Sequence, residues 1–336
     1  MSERLKWDKL LSEKRQRGGA QSETSTARNQ FEADYDRIVG SSSVRRLQDK
    51  AQVFPLQEND FTRTRLTHSI EVSALARSLG KTVGKELEKI DGGNFTPEET
   101  EKLASLLQVA GLIHDLGNPP FGHYGETVIR VWFEKWFEKE YKTFENVKAN
   151  LKDQVILTPQ QKNDFSYFDG NVQNLRIITK LQTLNDEYGA NFTYGTLSTI
   201  MKYPWSSACL KEIKKFGYFE SEQNIVKEIW EATGLSEKTR HPATYLLEAA
   251  DDIIYICDDI EDGVKKGYIN WSKEYATLKE EFKNQQKYEE LFERIDLKQP
   301  DKNMEESEII LAQVRNFRNN VQTYLLLKAK EKFVDN

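Results

Sequence analysis

Histidine is scarce in this chain, and three of its four copies, His68, His114 and His123, lie between residues 68 and 123. Two of them share one stretch, HDLGNPPFGHYGE, which runs from His114-Asp115 through a Gly-Asn-Pro-Pro break to His123 and Glu126. Neutral imidazole combined with carboxylate suits Mn, Fe, Ni, Co or Zn and takes Mg less readily. His68, His114, Asp115 and Asp251 supply two groups of each kind and could converge on one divalent metal. Four protein ligands on a six-coordinate ion leave room for water and a phosphate oxygen, which is what phosphoester hydrolysis at neutral pH requires. His123, just beyond the ligand pair, is placed for general acid or base work, and Glu126, one helical turn on, for holding its tautomer and orientation. Arg63 and Arg65, shortly before His68, together with Lys202, could neutralise a polyphosphate. A lone histidine on an apolar stripe is more often a core residue, so the inference rests on the whole set.

The elements that must carry these groups read as helices. His68, Val72, Leu75 and Leu79 repeat at intervals of four, three and four, which puts His68 at the head of a buried stripe. Thr96, Pro97 and Glu99 form an N-cap, a first-turn proline and a capping box. Leu103, Leu106, Ala110 and His114 then trace an inner face that Gly117 and Pro119-Pro120 bring to an end. After the break, Val128, Val131, Trp132 and Trp136 share one helical face. Farther on, Leu246, Ala250, Ile253, Cys257, Ile260 and Val264 keep a three-four rhythm over five turns, marking a central helix. Asp251, Tyr255 and Asp259 line up beside that stripe, where a carboxylate is costly unless paired or bound to a cation. No strand pattern persists and no internal repeat is visible.

Composition narrows the class. The chain has 336 residues, 38% hydrophobic and 30% charged, enough to bury a core and too apolar for a disordered protein. Its net charge of −6 argues against a surface built mainly for nucleic acid. No apolar run is long enough to span a membrane and the first residues lack the apolar core of a signal peptide, so the expectation is a cytoplasmic protein. Cys209 and Cys257 have no metal-type spacing, and a disulfide is not expected. Residues 1–27, polar and basic, read as a flexible arm, and residues from about 271 onward as exposed amphipathic helices.

Three stretches resemble the signatures of one family: Arg65-Leu-Thr-His68-Ser, the segment His114 to Glu126, and Leu-Glu-Ala-Ala-Asp251-Asp-Ile-Ile-Tyr255. They look like those of the HD-domain deoxynucleotide triphosphohydrolases, the bacterial dGTPases. The upstream FEADYDRIVGSSSVRRLQDKAQVFP, FDGNVQNLRI and MKYPW stretches extend the resemblance from about residue 28 to residue 265. It implies an all-α HD-domain phosphohydrolase fold, with a catalytic domain over 28–270 and a C-terminal helical region over 271–336 that is shorter than in relatives. It also implies a divalent metal, Mn or Mg first, held by His68, His114, Asp115 and Asp251. The catalytic pair becomes His123 and Glu126. Arg63, Lys202, Tyr203, Tyr255 and Asp259 become phosphate or sugar contacts, and Gln52 and Val53 fall where the sugar and base are met. The implied reaction cuts a dNTP, dGTP foremost, into deoxynucleoside and inorganic triphosphate. Partners implied are a homo-oligomer, often a hexamer, and single-stranded DNA or a dNTP as effector. Gly40, Val44, Ala51 and Val172 depart from the expected pattern. Two other readings stay open: another HD-type nucleotide phosphohydrolase, or a catalytically impaired member that binds nucleotide or single-stranded DNA.

Overall fold

A computed structural model of the chain describes residues 5–18, 27–55, 61–90, 92–141, 157–182, 187–210, 215–297, 300 and 303–335. Within them the protein is all-α; only three isolated β-bridges form. The helices are α1 (Trp7–Leu10), α2 (Gln30–Val39), α3 (Ser42–Arg46), α4 (Arg65–Ile90), α5 (Pro97–Ile113), α6 (Gly122–Trp136) and α7 (Pro159–Ser166). They continue as α8 (Gly170–Arg176), α9 (Tyr194–Ile200), α10 (Gln223–Thr233), α11 (Pro242–Lys265), α12 (Trp271–Phe282), α13 (Gln286–Leu297) and α14 (Glu306–Val334).

The pair α4 and α5 is the frame of the molecule. Thr96 caps α5, with Glu99 returning the bond to the Thr96 amide, as the capping-box spacing predicts. The two helices run antiparallel: Gly84 faces Thr100, Gly80 faces Ala104 and Leu107, and Gly111 faces Ser73. A Cβ at Gly111 would lie 2.8 Å from the Ser73 Cα, so the helix backbones approach there as only glycine allows. Val72, Leu79, Leu103, Leu106 and Ala110 fill the seam and are fully buried. The rhythm of α11 is equally real, since Leu246, Ala250, Ile253 and Cys257 are all buried and Cys257 is a free thiol. A second core of Trp271, Ile295, Val314 and Phe317 packs on Ile260 and Val264 of α11, while Leu326 and Phe333 of α14 reach the main core. Among the described residues, no helix is long and apolar enough to cross a membrane.

The basic leader is not a free arm where it is described. Leu10 and Leu11 are buried, Trp7 meets Phe95 edge to face, and the amides of Tyr194 and Gly195 donate to the carbonyls of Lys14 and Ser12. Arg15 bonds the fully buried Asp34 at 2.5 Å, and Asp34 also accepts from Thr193 and Thr196. The basic run reads as solvated in sequence because its counter-charge lies in α2 and its apolar anchors number only three. The remaining residues of the expected arm, 1–4 and 19–26, lie outside the described set.

The fourth histidine, His241, secures this docking. Its Nδ1 accepts from the Ala243 amide at the start of α11, and its Nε2–H donates to the Leu10 carbonyl at 3.0 Å. Burial lowers its pKa from 6.5 to about 4. The unfolded chain therefore takes up this proton first as pH falls, so the contribution is complete above about pH 6.5 and drains away toward pH 4. It amounts to about 3 kcal/mol. Denaturant midpoints measured from pH 7 to pH 4 are expected to fall more steeply for the parent than for His241→Gln; parallel curves would remove this assignment.

Candidate active site

Three helices bring four of the predicted ligands to one point. His68 sits in the first turn of α4, His114 is the C-cap residue of α5 with Asp115 beside it, and Asp251 lies midway along α11. His68 Nε2 is 3.0 Å from Asp251 Oδ1, although the two residues are 183 apart in the chain. His114 Nε2 stands 3.5 Å from an oxygen of Asp115 and from the same oxygen of Asp251. The two rings meet edge on at 5.5 Å between centroids.

The tautomer of His114 is set by the backbone. Its Nδ1–H donates to the Gly111 carbonyl at 2.7 Å, which leaves the lone pair of Nε2 aimed into the cluster. That nitrogen is buried and has no hydrogen-bond partner. Donor atoms of His68, His114 and Asp115 lie within 4.8 Å of one another, a spacing that could hold a metal ion. An unmatched buried imidazole nitrogen among carboxylates fits a divalent cation. The electrostatics agree. Burial opposes charge on His114, yet Asp115 and Asp251 raise its pKa to about 9. Burial also opposes charge on Asp251, and the two imidazoles hold its carboxyl far below the usual range. The pocket thus attracts one positive charge, and a metal would displace that proton.

Asp115 is aimed by its neighbours. Arg65 Nη1 donates to Oδ2 at 2.5 Å and Asn118 Nδ2 to Oδ1 at 2.6 Å. Asn118 belongs to the break, where Gly117 presses on the start of α8: a Cβ there would lie 2.0 Å from the Gly170 carbonyl oxygen and 2.3 Å from the Asn174 nitrogen. The chain then turns through Phe121 in the left-handed region (φ 65°) and enters α6.

His123 lies in the first turn of α6 with its side chain 87% exposed, and its Nδ1 is 3.0 Å from Glu126 Oε2. Glu126 is almost fully buried, its Oε1 accepting from the Gly170 amide at 2.8 Å and its Oε2 from Arg130 Nη2 at 3.1 Å. An exposed imidazole backed by a buried, oriented carboxylate is equipped to accept or deliver a proton.

The remaining predicted contacts divide. Lys202 pairs with Glu248 at 2.7 Å, one turn before Asp251 on α11, and Tyr203 packs on Trp205. Tyr255 is half exposed, hydrogen-bonded to Asp259. Val53 is exposed and Gln52 buries an unpartnered Oε1, beside the bridge between Ala51 and Thr64 that leads into α4. Arg63 is the exception. Glu71, Asp258, Glu261 and Asp262 enclose it at 2.6–3.1 Å, so its charge is committed to carboxylates of α4 and α11. The spacing of Arg63 from His68 says nothing about α11, which is why its sequence neighbourhood misleads. Sequence reasoning also missed Arg130 and the Gly170 amide. Arg130 stands four residues after Glu126, a helical pairing distance that could have flagged it; a backbone donor carries no such sign.

Comparison with known proteins matches residues 65–164 to the HD domain. Residues 65–164 thus carry an HD domain. The HD-domain chain is 50% identical over 274 residues to a deoxyguanosinetriphosphate triphosphohydrolase-like protein of Listeria innocua, covering 79% of this chain and 57% of that protein. A protein of the same description from Synechocystis is 39% identical over 281 residues, covering 79% and 61%. The deoxyguanosinetriphosphate triphosphohydrolase of Yersinia pestis is 35% identical over 277 residues, covering 75% and 53%. The resemblance carried by the three signatures is thus borne out, and the chain spans between half and two-thirds of the length of these relatives. An HD domain implies a divalent ion.

Thermal unfolding with and without a divalent salt tests the cluster. Saturating Mn at about 100 times its Kd is expected to stabilise the protein by about 2.7 kcal/mol, and His114→Ala is expected to abolish that gain. No stabilisation by Mn, Mg, Co or Ni would rule the cluster out as a metal site.

Proposed function

We propose that this chain hydrolyses deoxynucleoside triphosphates at the α phosphorus, releasing deoxynucleoside and inorganic triphosphate, with dGTP the favoured substrate. The observation that carries this reading is the junction of two devices across one Pro-Pro break: the His68, His114, Asp115 and Asp251 cluster on one side, and the His123–Glu126 pair on the other. The names of the relatives point to the same substrate.

A divalent ion held by those four residues, Mn or Mg before Co, Ni, Fe or Zn, supplies positive charge that polarises a phosphoryl oxygen. The rest falls to the chain. Water adds its oxygen to the α phosphorus as the bond from phosphorus to the 5′ oxygen breaks. His123 carries a proton toward that leaving oxygen or away from the water, while Glu126 keeps its Nδ1 side engaged so that Nε2 faces the reaction. Lys202, beside the cluster, balances phosphate charge, and Tyr255, Asp259 and Tyr203 border the nucleotide. Gln52 and Val53 meet the sugar and base. Arg65 adds a second fixed cation next to Asp115. A homo-oligomer, a hexamer by family resemblance, and modulation by single-stranded DNA or a dNTP complete the proposal.

Incubation of metal-loaded protein with each of the four dNTPs, with chromatography of nucleosides and phosphates, is expected to show deoxynucleoside and triphosphate in equal amounts, most from dGTP. Stepwise release of monophosphate instead would overturn the reading. His123→Ala is expected to keep the metal-dependent rise in melting temperature and to lose turnover by about 10²- to 10⁴-fold; unchanged turnover would remove His123 from the chemistry.

A further inference from the structure

Glu126 poses a charge problem that the proposed reaction does not explain. Its carboxylate is 2% exposed, and a buried anion must be balanced nearby. The charged groups that face it are few among the described residues. On α6 these are His123 at 3.0 Å and Arg130 at 3.1 Å, both on Oε2. From the turn before α8 comes Asp169, 3.7 Å from Arg130 Nη2 and paired in turn with Lys215. Arg65, packed on Gly122, is occupied by Asp115. If Arg130 were absent, His123 would be, among the described residues, the one group in contact with Glu126 able to balance its charge, and it could do so only by keeping its proton.

Arg130 is held for this task. Its Nε donates to the Phe168 carbonyl at 2.6 Å, which ties it to the turn whose next residues are Asp169 and Gly170. Gly170 gives its amide to the other oxygen of Glu126, and Asp169 caps α8 by accepting from the Asn171 amide. Phe133 on Phe165, at 4.6 Å between ring centroids, seats α6 on α7 just beside this junction. The carboxylate is therefore gripped at both oxygens by one rigid corner.

Resting on the function proposed above, we propose that Arg130 is a positioning residue: it neutralises Glu126 so that the carboxylate can orient the His123 ring without holding a proton on it. The Phe168–Gly170 turn sets the distance, and Asp169 with Lys215 tunes how much of the Arg130 charge reaches Glu126. His123 is thereby free to exchange its proton in each turnover.

The test is the titration of the His123 ring by NMR of protein labelled with nitrogen-15 histidine, the signal assigned with His123→Gln. In Arg130→Gln, which keeps donors but removes the charge, the ring is expected to stay protonated to higher pH than in the parent. The acid limb of the kcat profile should move by the same amount, kcat near neutrality should fall about tenfold or more, and KM should change little. Arg130→Lys is expected to restore the parent titration. Should Arg130→Gln not fold, Asp169→Asn, which keeps the cap of α8, decides the matter: it frees Arg130 for Glu126 and the ring should lose its proton at lower pH. Coincident titration curves for the parent and the folded variant, or a shift of opposite sign, would overturn the role of Arg130. The NMR titration needs no turnover, so absence of dNTP hydrolysis would remove the proposed function and leave this result standing.

Discussion

Everything here depends on keeping four ionisable side chains close together in an apolar helical frame, with His68 buried and His114, Asp115 and Asp251 partly so. Desolvating a carboxylate or an imidazolium costs several kcal/mol unless an opposite charge stands beside it. The protein meets that demand by mutual compensation: Asp251 holds His68, Asp115 and Asp251 flank His114, and Arg65 and Asn118 occupy the far side of Asp115. None of these residues is stable there alone. The small residues along α4 and α5 matter because they bring the imidazoles within reach of one another, and α11 matters because it carries the counter-charge across.

The same logic recurs away from the cluster. Arg15 and Asp34 bind the leader to α2, and Arg63 gathers four carboxylates where α4 meets α11, with Arg318 of α14 joining at Glu261. These knots of charge act as registers between helices. Hydrophobic periodicity alone would let such helices slide or rotate by a residue; a buried ion pair does not tolerate that shift.

Much of this was readable in the sequence wherever a local rule governs it. The capping box at Thr96, the stripes of α4, α5 and α11, the burial of His68 at the head of its stripe, and the place of Asp251 beside the stripe of α11 all follow from spacing. What escaped prediction depends on partners distant in the chain. The leader docks because Asp34 and Leu10 find Arg15 and His241, and Arg63 turns to α11 because three of its carboxylates come from there. The Val128, Val131 and Trp132 face of α6 shows the opposite limit, since correct helical spacing did not reveal that this face is open to solvent.

The separation of His68 from Asp251 by 183 residues has a kinetic meaning. His114, Asp115, Asn118, His123 and Glu126 are neighbours in sequence and can collect as soon as α5 and α6 form. His68 can join once α4 folds back on α5. Asp251 arrives only when the chain has closed a loop through α7, α8, α9 and α10, and long-range closures of that kind are entropically late. The first three members of the cluster can therefore assemble on a half-built chain, whereas Asp251 joins only once the whole frame is in place. A nascent chain would carry the sequence motif before the cluster is complete, so the charge cluster closes only with the last of the long-range contacts.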